Sequence, residues 1–411
     1  MISPSLCVRC KGKLLCGASK CIVLEHYSGL RKATAQIKGR EFSGSSPPSV
    51  FVSWKNYPNV SIAPLAPAIV DEKNYLLDAP EQWYGFHPER IISMREQLIQ
   101  SNARTNVFEA ANPNYELLDL QEIVMAEKPV EVEIELQHKP LPRLSFHESV
   151  APIGPSASLE SLRLVSNPRI PKKVDYLVSD LNAKSHAAIM ELYDSGFPVS
   201  SLYKLLSAGT LGVKKNRRLV PTRWSITAVD SNVSKTLVEE KVKAFQQISD
   251  YRLFRSNYLD NDFWVLLFPG SWCFEQLETW LPGGVWTQNA SSAQIMHDHE
   301  FFAGRKNYAA NVEGAYYSSR LAVAEYLMKE KRQAGAIVFR EVGEGYSIPL
   351  GVWQIRENVR HALAEKPLVF YSLDLVLRFL SQKLRVPMLQ YKKESALLDA
   401  IIHQKKLVDF T

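Results

Sequence analysis

Four of the five cysteines fall within the first 21 residues, as Cys7, Cys10, Cys16 and Cys21. Their spacing is C-x2-C-x5-C-x4-C. Four thiolates within reach of one another close a tetrahedral shell around zinc. So short a segment cannot fold around an apolar core, so the bound ion would supply its folding free energy. Gly12 and Gly17 stand where knuckle turns need a residue without a Cβ. Two disulfides would need an oxidising compartment, and redox or iron–sulfur chemistry is the other use of such a set. No secretory signal is evident, because Leu14-Leu15 is too short an apolar core. Structural Zn2+ is the expectation for these four residues.

Charge placement gives this segment a partner. Residues 1–40 hold eight basic side chains against Glu25 alone, a net +7; the whole chain carries +6, so the other 371 residues sum to −1. Arg9, Lys11, Lys13 and Lys20 lie among the cysteines. A cationic patch on a metal-stapled module suits a phosphate backbone, so DNA is the expected partner. A second cluster runs from Ser195 to Val229, with Lys204, Lys214, Lys215, Arg217, Arg218 and Arg223 and no acid. Gly209-Thr-Leu-Gly212 precedes most of it and Trp224 follows. Guanidinium groups on such a loop can seat phosphates, and an indole can stack on a base. The alternative is a solvated charged loop.

His297-Asp298-His299-Glu300, followed by Arg305 and Lys306, is the constellation nearest to catalysis. Read as part of a helix over 291–303, it places His297 and Glu300 on one face. Imidazole with carboxylate can ligate a divalent ion, here Mg2+ or Mn2+, or act as an acid/base pair. Arg305 and Lys306 would hold a phosphate beside it. A metal-dependent nuclease is therefore the alternative function, and a polar helix surface is the competing structural reading. The chain has no G-x-S-x-G, no Walker motif and no G-x-G-x-x-G after a strand.

The last eight residues read Gln404-Lys-Lys-Leu407-Val-Asp-Phe410-Thr411, a Q-x-x-L-x-x-F pattern. A short 3₁₀ turn puts residues three apart on one side. Leu407 and Phe410 would enter an apolar pocket on a partner, with Gln404 hydrogen-bonding beside it. The pattern is similar to the motif that binds the DNA sliding clamp, proliferating cell nuclear antigen (PCNA). Thr411 stands where the fullest form has a second aromatic.

The elements that position these groups follow from periodicity. Val50–Trp54 and Val60–Leu65 read as short strands, and 88–103 as a helix with Pro88 in its first turn. Val130–Leu136 alternates apolar residues with glutamate, as a half-exposed strand does. Residues 41–50 read as a connector. Residues 138–173, with six prolines, read as a wrapping loop. Helices are expected at Ala183–Asp194 and Ser201–Ser207, and strands at Leu219–Val229, Phe263–Phe268 and Ile337–Val342. Pro282-Gly-Gly284 is the clearest break; beyond it helices are expected at 313–334, 353–365, 372–384 and 394–404. The longest uninterrupted apolar run, Phe263–Phe268, is too short for a membrane span, and the cytoplasm is the expected location.

The cysteine set, the stretch Val220-Pro-Thr-Arg-Trp-Ser-Ile-Thr-Ala-Val-Asp230, the segment His297–Leu327 and the tail together resemble the archaeal Nre (novel repair) family of DNA repair proteins. The resemblance implies a role in the DNA damage response, a C4 zinc finger at residues 7–21 and clamp association through residues 404–411. The expected fold class is α+β: a C4 module at 1–30, a mixed N-terminal Nre domain at 48–284, a helix-rich C-terminal Nre domain at 285–395 and a clamp-binding tail at 396–411.

Overall fold

A computed structural model describes residues 13, 21–142, 154–284, 287, 290–346 and 349–403. The fold is mixed α and β, as expected, and divides into two compact units, Ser5–Val233 and Ser234–Thr411 with Met1–Pro4. No helix among the described residues is long and apolar enough to cross a membrane.

The first unit is built on a six-stranded sheet, ordered β1 (Glu41–Ser46), β5 (Val130–Leu136), β6 (Ser156–Leu164), β4 (Ile99–Asn106), β3 (Asn59–Ala66) and β2 (Val50–Val52). Only the β4–β6 pairing is parallel. Strand β5 buries one face of the sheet: Val130, Val132, Ile134 and Leu136 are buried, while the glutamates between them point outward. Two expected loops are strands. The Gly/Ser-rich Glu41–Ser46 pairs residue for residue with β5. A Cβ on Gly44 would lie 1.8 Å from the Pro67 carbonyl oxygen, so the glycine is needed for close backbone approach. Ser156–Leu164, inside the expected wrapping segment, fills the gap between β5 and β4. Long-range pairing overrides weak local propensity at both places.

Helices α1 (Ile22–Ala35), α2 (Pro88–Gln97), α3 (Tyr115–Met125), α4 (Lys172–Ser179), α5 (Ser185–Asp194) and α6 (Val199–Ser207) complete this unit. The helix expected over 88–103 stops at Gln97, and β4 begins two residues later. Helix α7 (Thr222–Glu240) crosses the division between units. It corrects the strand expected at Leu219–Val229. Ser225, Val229, Val233 and Leu237 are buried at helical spacing, a stripe that the β-branched composition disguised.

The second unit has its own six-stranded sheet, ordered β10 (Gln294–Glu300), β9 (Cys273–Trp280), β11 (Gly335–Val342), β8 (Asn261–Phe268), β7 (Tyr251–Tyr258) and β12 (Leu368–Phe370). Only β11 and β9 run parallel. Helices α8 (Gly314–Glu330) and α9 (Trp353–Ala364) pack on one face, with Tyr316 against Phe274 and Tyr326 against Phe254. Helices α10 (Leu373–Ser381), α11 (Met388–Glu394) and α12 (Ala396–His403) cover the other, where Val376, Leu380, Tyr391, Leu397 and Leu398 join Leu266, Leu277, Ile337 and Phe339. Burial on both faces explains the unbroken apolar run of β8. Pro282-Gly283-Gly284 lies between the neighbouring strands β9 and β10, and Gly283 takes a left-handed φ of 88°. The segment expected as helix 291–303 is the edge strand β10.

Candidate nucleic-acid interface and histidine cluster

The basic segment 195–229 enters the first unit in two ways. Lys204 is buried and pairs with Asp78, Nζ to Oδ2 3.0 Å. Arg217 is likewise structural: its Nε donates to the Gly212 carbonyl at 2.9 Å and its Nη2 to the Val178 carbonyl at 2.6 Å. Lys214 and Lys215 point outward. Arg218 donates to the Arg217 carbonyl at 2.7 Å and lies 4.4 Å from the centre of the Phe108 ring.

Phe108 is 53% exposed, and a second exposed aromatic group lies nearby: Trp224, 46% exposed, with Tyr57, 50% exposed, at 5.3 Å between ring centres. The two groups belong to one surface. Val107 N–H donates to the Pro58 carbonyl at 3.0 Å, and Leu219 N–H donates to the Val107 carbonyl at 2.9 Å. The β2–β3 turn, the 3₁₀ turn Val107–Ala111 and the segment 214–224 are thereby joined. Trp54, Lys55 and Arg223 are also exposed on these segments, and Arg104 is exposed on β4. Such a surface offers aromatic planes for bases beside cations for phosphates. Lys214, Lys215 and Trp224 were legible by type. Tyr57 and Phe108 were not, because only the fold brings residues 57, 108 and 224 together.

The strand geometry of β10 divides the histidine cluster. Side chains alternate along a strand, so His297 and His299 share one face while Asp298 and Glu300 share the other. Asp298 is buried and accepts from Arg305 Nη2 at 3.0 Å, Asn311 N–H at 2.9 Å and Val312 N–H at 3.0 Å. Glu300 is buried and accepts from Trp272 Nε1 at 2.7 Å and Arg320 Nε at 2.8 Å. Both carboxylates hold the sheet to the segment 305–320. Arg305 also donates to the His299 carbonyl at 2.7 Å, so it is a clamp on the strand end, whereas Lys306 is exposed.

On the opposite face Glu275 of β9 stands directly across from His299. Its Oε1 lies 2.9 Å from His297 Nδ1. The two imidazoles are nearly parallel, 13° apart, with centres separated by 6.0 Å. The hydrogen bond to Glu275 raises the His297 pKa; burial opposes it, and the charges of Glu275, Asp298 and Glu394 add to it. Glu275 has no exposed surface and was missed in the sequence, where it sits among apolar and aromatic strand residues.

Cys7, Cys10, Cys16, Arg9, Lys11 and Lys20, and the tail residues Gln404, Leu407, Phe410 and Thr411, lie outside the described residues. Lys13 is exposed, and Cys21 immediately precedes α1 with a half-buried side chain. The family description "Archaeal Nre, N-terminal" matches residues 15–287, and "Archaeal Nre, C-terminal" matches residues 300–410. The chain belongs to the archaeal Nre family. It is 38% identical over 393 residues to the DNA repair protein NreB of Archaeoglobus fulgidus, covering 95% of this chain and 96% of that protein. It is 38% identical to the DNA repair protein NreA of the same organism, covering 92% of this chain and 93% of that protein. To the DNA repair protein NreA of Haloferax volcanii it is 36% identical, over 94% of this chain and 93% of that protein. No solved structure matches the chain. The two Nre matches meet between Thr287 and Glu300, whereas the compact units divide at Val233. Strands β7–β9 of the second sheet therefore come from the N-terminal Nre region, and β11 and β12 from the C-terminal one.

Proposed function

We propose that this Nre protein is a DNA repair factor of the DNA damage response that binds DNA and the sliding clamp. The observation that carries the DNA half is the surface on which Tyr57, Trp224 and Phe108 stand beside Lys214, Lys215 and Arg218. The similarity to three proteins named as DNA repair proteins, along more than nine-tenths of this chain, supports the same reading. A basic C4 module adds a second contact: Cys7, Cys10, Cys16 and Cys21 would hold a structural Zn2+, with Arg9, Lys11, Lys13 and Lys20 toward phosphates. Leu407, Phe410 and Gln404 would anchor PCNA at the other end, and Thr411 in place of an aromatic weakens that anchor. Two modest contacts on separate parts of one chain combine through effective concentration.

The test is fluorescence anisotropy of a labelled single-stranded oligonucleotide and, separately, of labelled clamp. The full chain should bind both. Lys214→Glu with Lys215→Glu should weaken DNA alone, and Phe410→Ala should weaken the clamp alone. Equal DNA affinity in the parent and the charge-reversed protein would remove this surface from the account.

A further inference from the structure

We propose that Glu275, His297 and His299 form a site for a divalent transition-metal ion of the zinc class, separate from the four N-terminal cysteines.

Strand geometry assembles the set. His297 and His299 occupy positions i and i+2 of β10 and so project from one face. Glu275 belongs to the antiparallel neighbour β9, at the register position opposite His299. One donor atom from each of the three lies within 4.8 Å of the others. Ligand atoms around a tetrahedral zinc ion stand about 3.3–3.6 Å apart, so small side-chain rotations close the set. Both imidazoles are half-buried, which leaves the outer coordination positions to water or a ligand.

Charge and support favour a cation. Glu275 is wholly buried, and Glu394 at the end of α11 adds a second carboxylate field at His297. Glu275 is fixed through both oxygens: Ser395 Oγ and Leu397 N–H, the latter at 3.1 Å, donate to Oε2, while Ala396 N–H donates at 2.9 Å to Oε1, the oxygen beside His297. Such outer hydrogen bonds orient a ligating carboxylate. Phe301 packs edge-on against His299 at 5.3 Å and limits its ring. Asp298 and Glu300 take no part, since Arg305 and Arg320 hold them on the other side of the sheet. Two imidazoles among three donors select a borderline ion such as zinc over magnesium, which prefers oxygen ligands.

An ion here would join the edge strand β10 to the carboxylate that caps α12, the helix directly followed by residues 404–411. It would fasten the root of the segment that carries the clamp-binding pattern.

The experiment is a cobalt(II) titration of the full chain in which Cys7, Cys10, Cys16 and Cys21 are each changed to serine. Uptake of a single ion with visible d–d absorption and no thiolate charge-transfer band is expected. His299→Ala or His297→Ala should weaken uptake about 100-fold or more while the far-ultraviolet circular dichroism stays unchanged. In the chain with its cysteines intact, His299→Ala should lower the bound zinc by a single ion per molecule. No cobalt uptake by the serine protein while its circular dichroism matches the parent, or equal zinc content in the parent and His299→Ala, would overturn the site; the His297–Glu275 hydrogen bond would then be all that the cluster provides.

Discussion

Glu275 accepts from His297 Nδ1 and, through the same carboxylate, from the first backbone N–H groups of the last helix, at Ala396 and Leu397. Glu341 repeats the arrangement one strand away, accepting from Arg385 N–H at 2.9 Å, Val386 N–H at 3.0 Å and Tyr391 Oη at 3.0 Å. Two buried glutamates thus hold the chain reversals at which α11 and α12 begin. The unpaired N–H groups of a helix start favour a carboxylate there. The β9–β11 pair supplies the carboxylates, so the C-terminal helices are positioned by polar contacts as well as by Leu397 and Leu398.

Removing the Glu275 carboxylate should therefore loosen α12 before it loosens the sheet. Glu275→Ala strands several buried donors, each costing about 1–3 kcal/mol. An overall loss of about 3 kcal/mol in denaturant stability is expected, with hydrogen-exchange protection lost first at residues 396–403. Uniform loss across the second unit would show that the carboxylate supports the sheet itself.

Acid should find a different weak point. Asp78 is buried, which by itself raises its pKa, but Lys204, Arg95 and Ser49 outweigh burial and hold it at about 2 instead of 3.8. A group whose folded pKa is depressed contributes stability above its unfolded pKa and loses it as pH falls through the folded value. The contribution is about 2 kcal/mol, fully present above roughly pH 5 and lost between pH 4 and pH 2. Asp78→Asn should remove that part of the acid sensitivity, while lowering stability at neutral pH by about 3 kcal/mol because Arg95 and Lys204 stay buried without their counter-charge. Urea midpoints of both proteins at pH 2.5, 4 and 7 check it.

The Nre C-terminal match holds only part of the second sheet. A fragment of residues 300–411 lacks β7, β8, β9 and nearly all of β10. It would expose both edges of β11, which pairs with β8 on one side and β9 on the other. Unpaired strand edges aggregate. Residues 300–411 should be insoluble or unfolded by circular dichroism, whereas 222–411, which retains α7 and the whole second sheet, should melt cooperatively. Cooperative melting of the shorter piece would contradict the shared sheet.

Elements whose own residues carry the signal were legible in the sequence. Val130–Leu136 alternates, Phe263–Phe268 is an unbroken apolar run, and the helix from Gly314 is a long stretch free of proline and of internal glycine. The pieces that misled were those whose partners lie far away in sequence. Gln294–Glu300 ends in four polar residues, and it is a strand because Glu275, Arg305 and Arg320 satisfy its charged residues. Glu41–Ser46 has little strand propensity and takes its form from β5. The candidate sites divide the same way. The two histidines could be found by type, but their grouping with Glu275 depends on register, and the meeting of Tyr57 with Trp224 depends on a β-turn and a helix start separated by more than a hundred residues.

DNA binding should depend on aromatic planes and on charge in separable ways. Trp224→Ala removes a stacking platform, and stacking contributes about 1–3 kcal/mol per base, so single-strand affinity should fall roughly 5- to 150-fold with an unchanged salt slope. Lys214→Ala with Lys215→Ala removes two phosphate partners. Affinity should fall, and the dependence of log K on log salt should flatten by about 1.4, since each neutralised phosphate of a single strand contributes about 0.7. Both changes lie on exposed side chains, so the melting temperature should hold. Duplex DNA presents no free base faces and should be insensitive to Trp224→Ala while remaining sensitive to the lysines. Loss of duplex and single-strand binding in equal measure on Trp224→Ala would mean that the indole supports the surface through Tyr57 and does not meet a base.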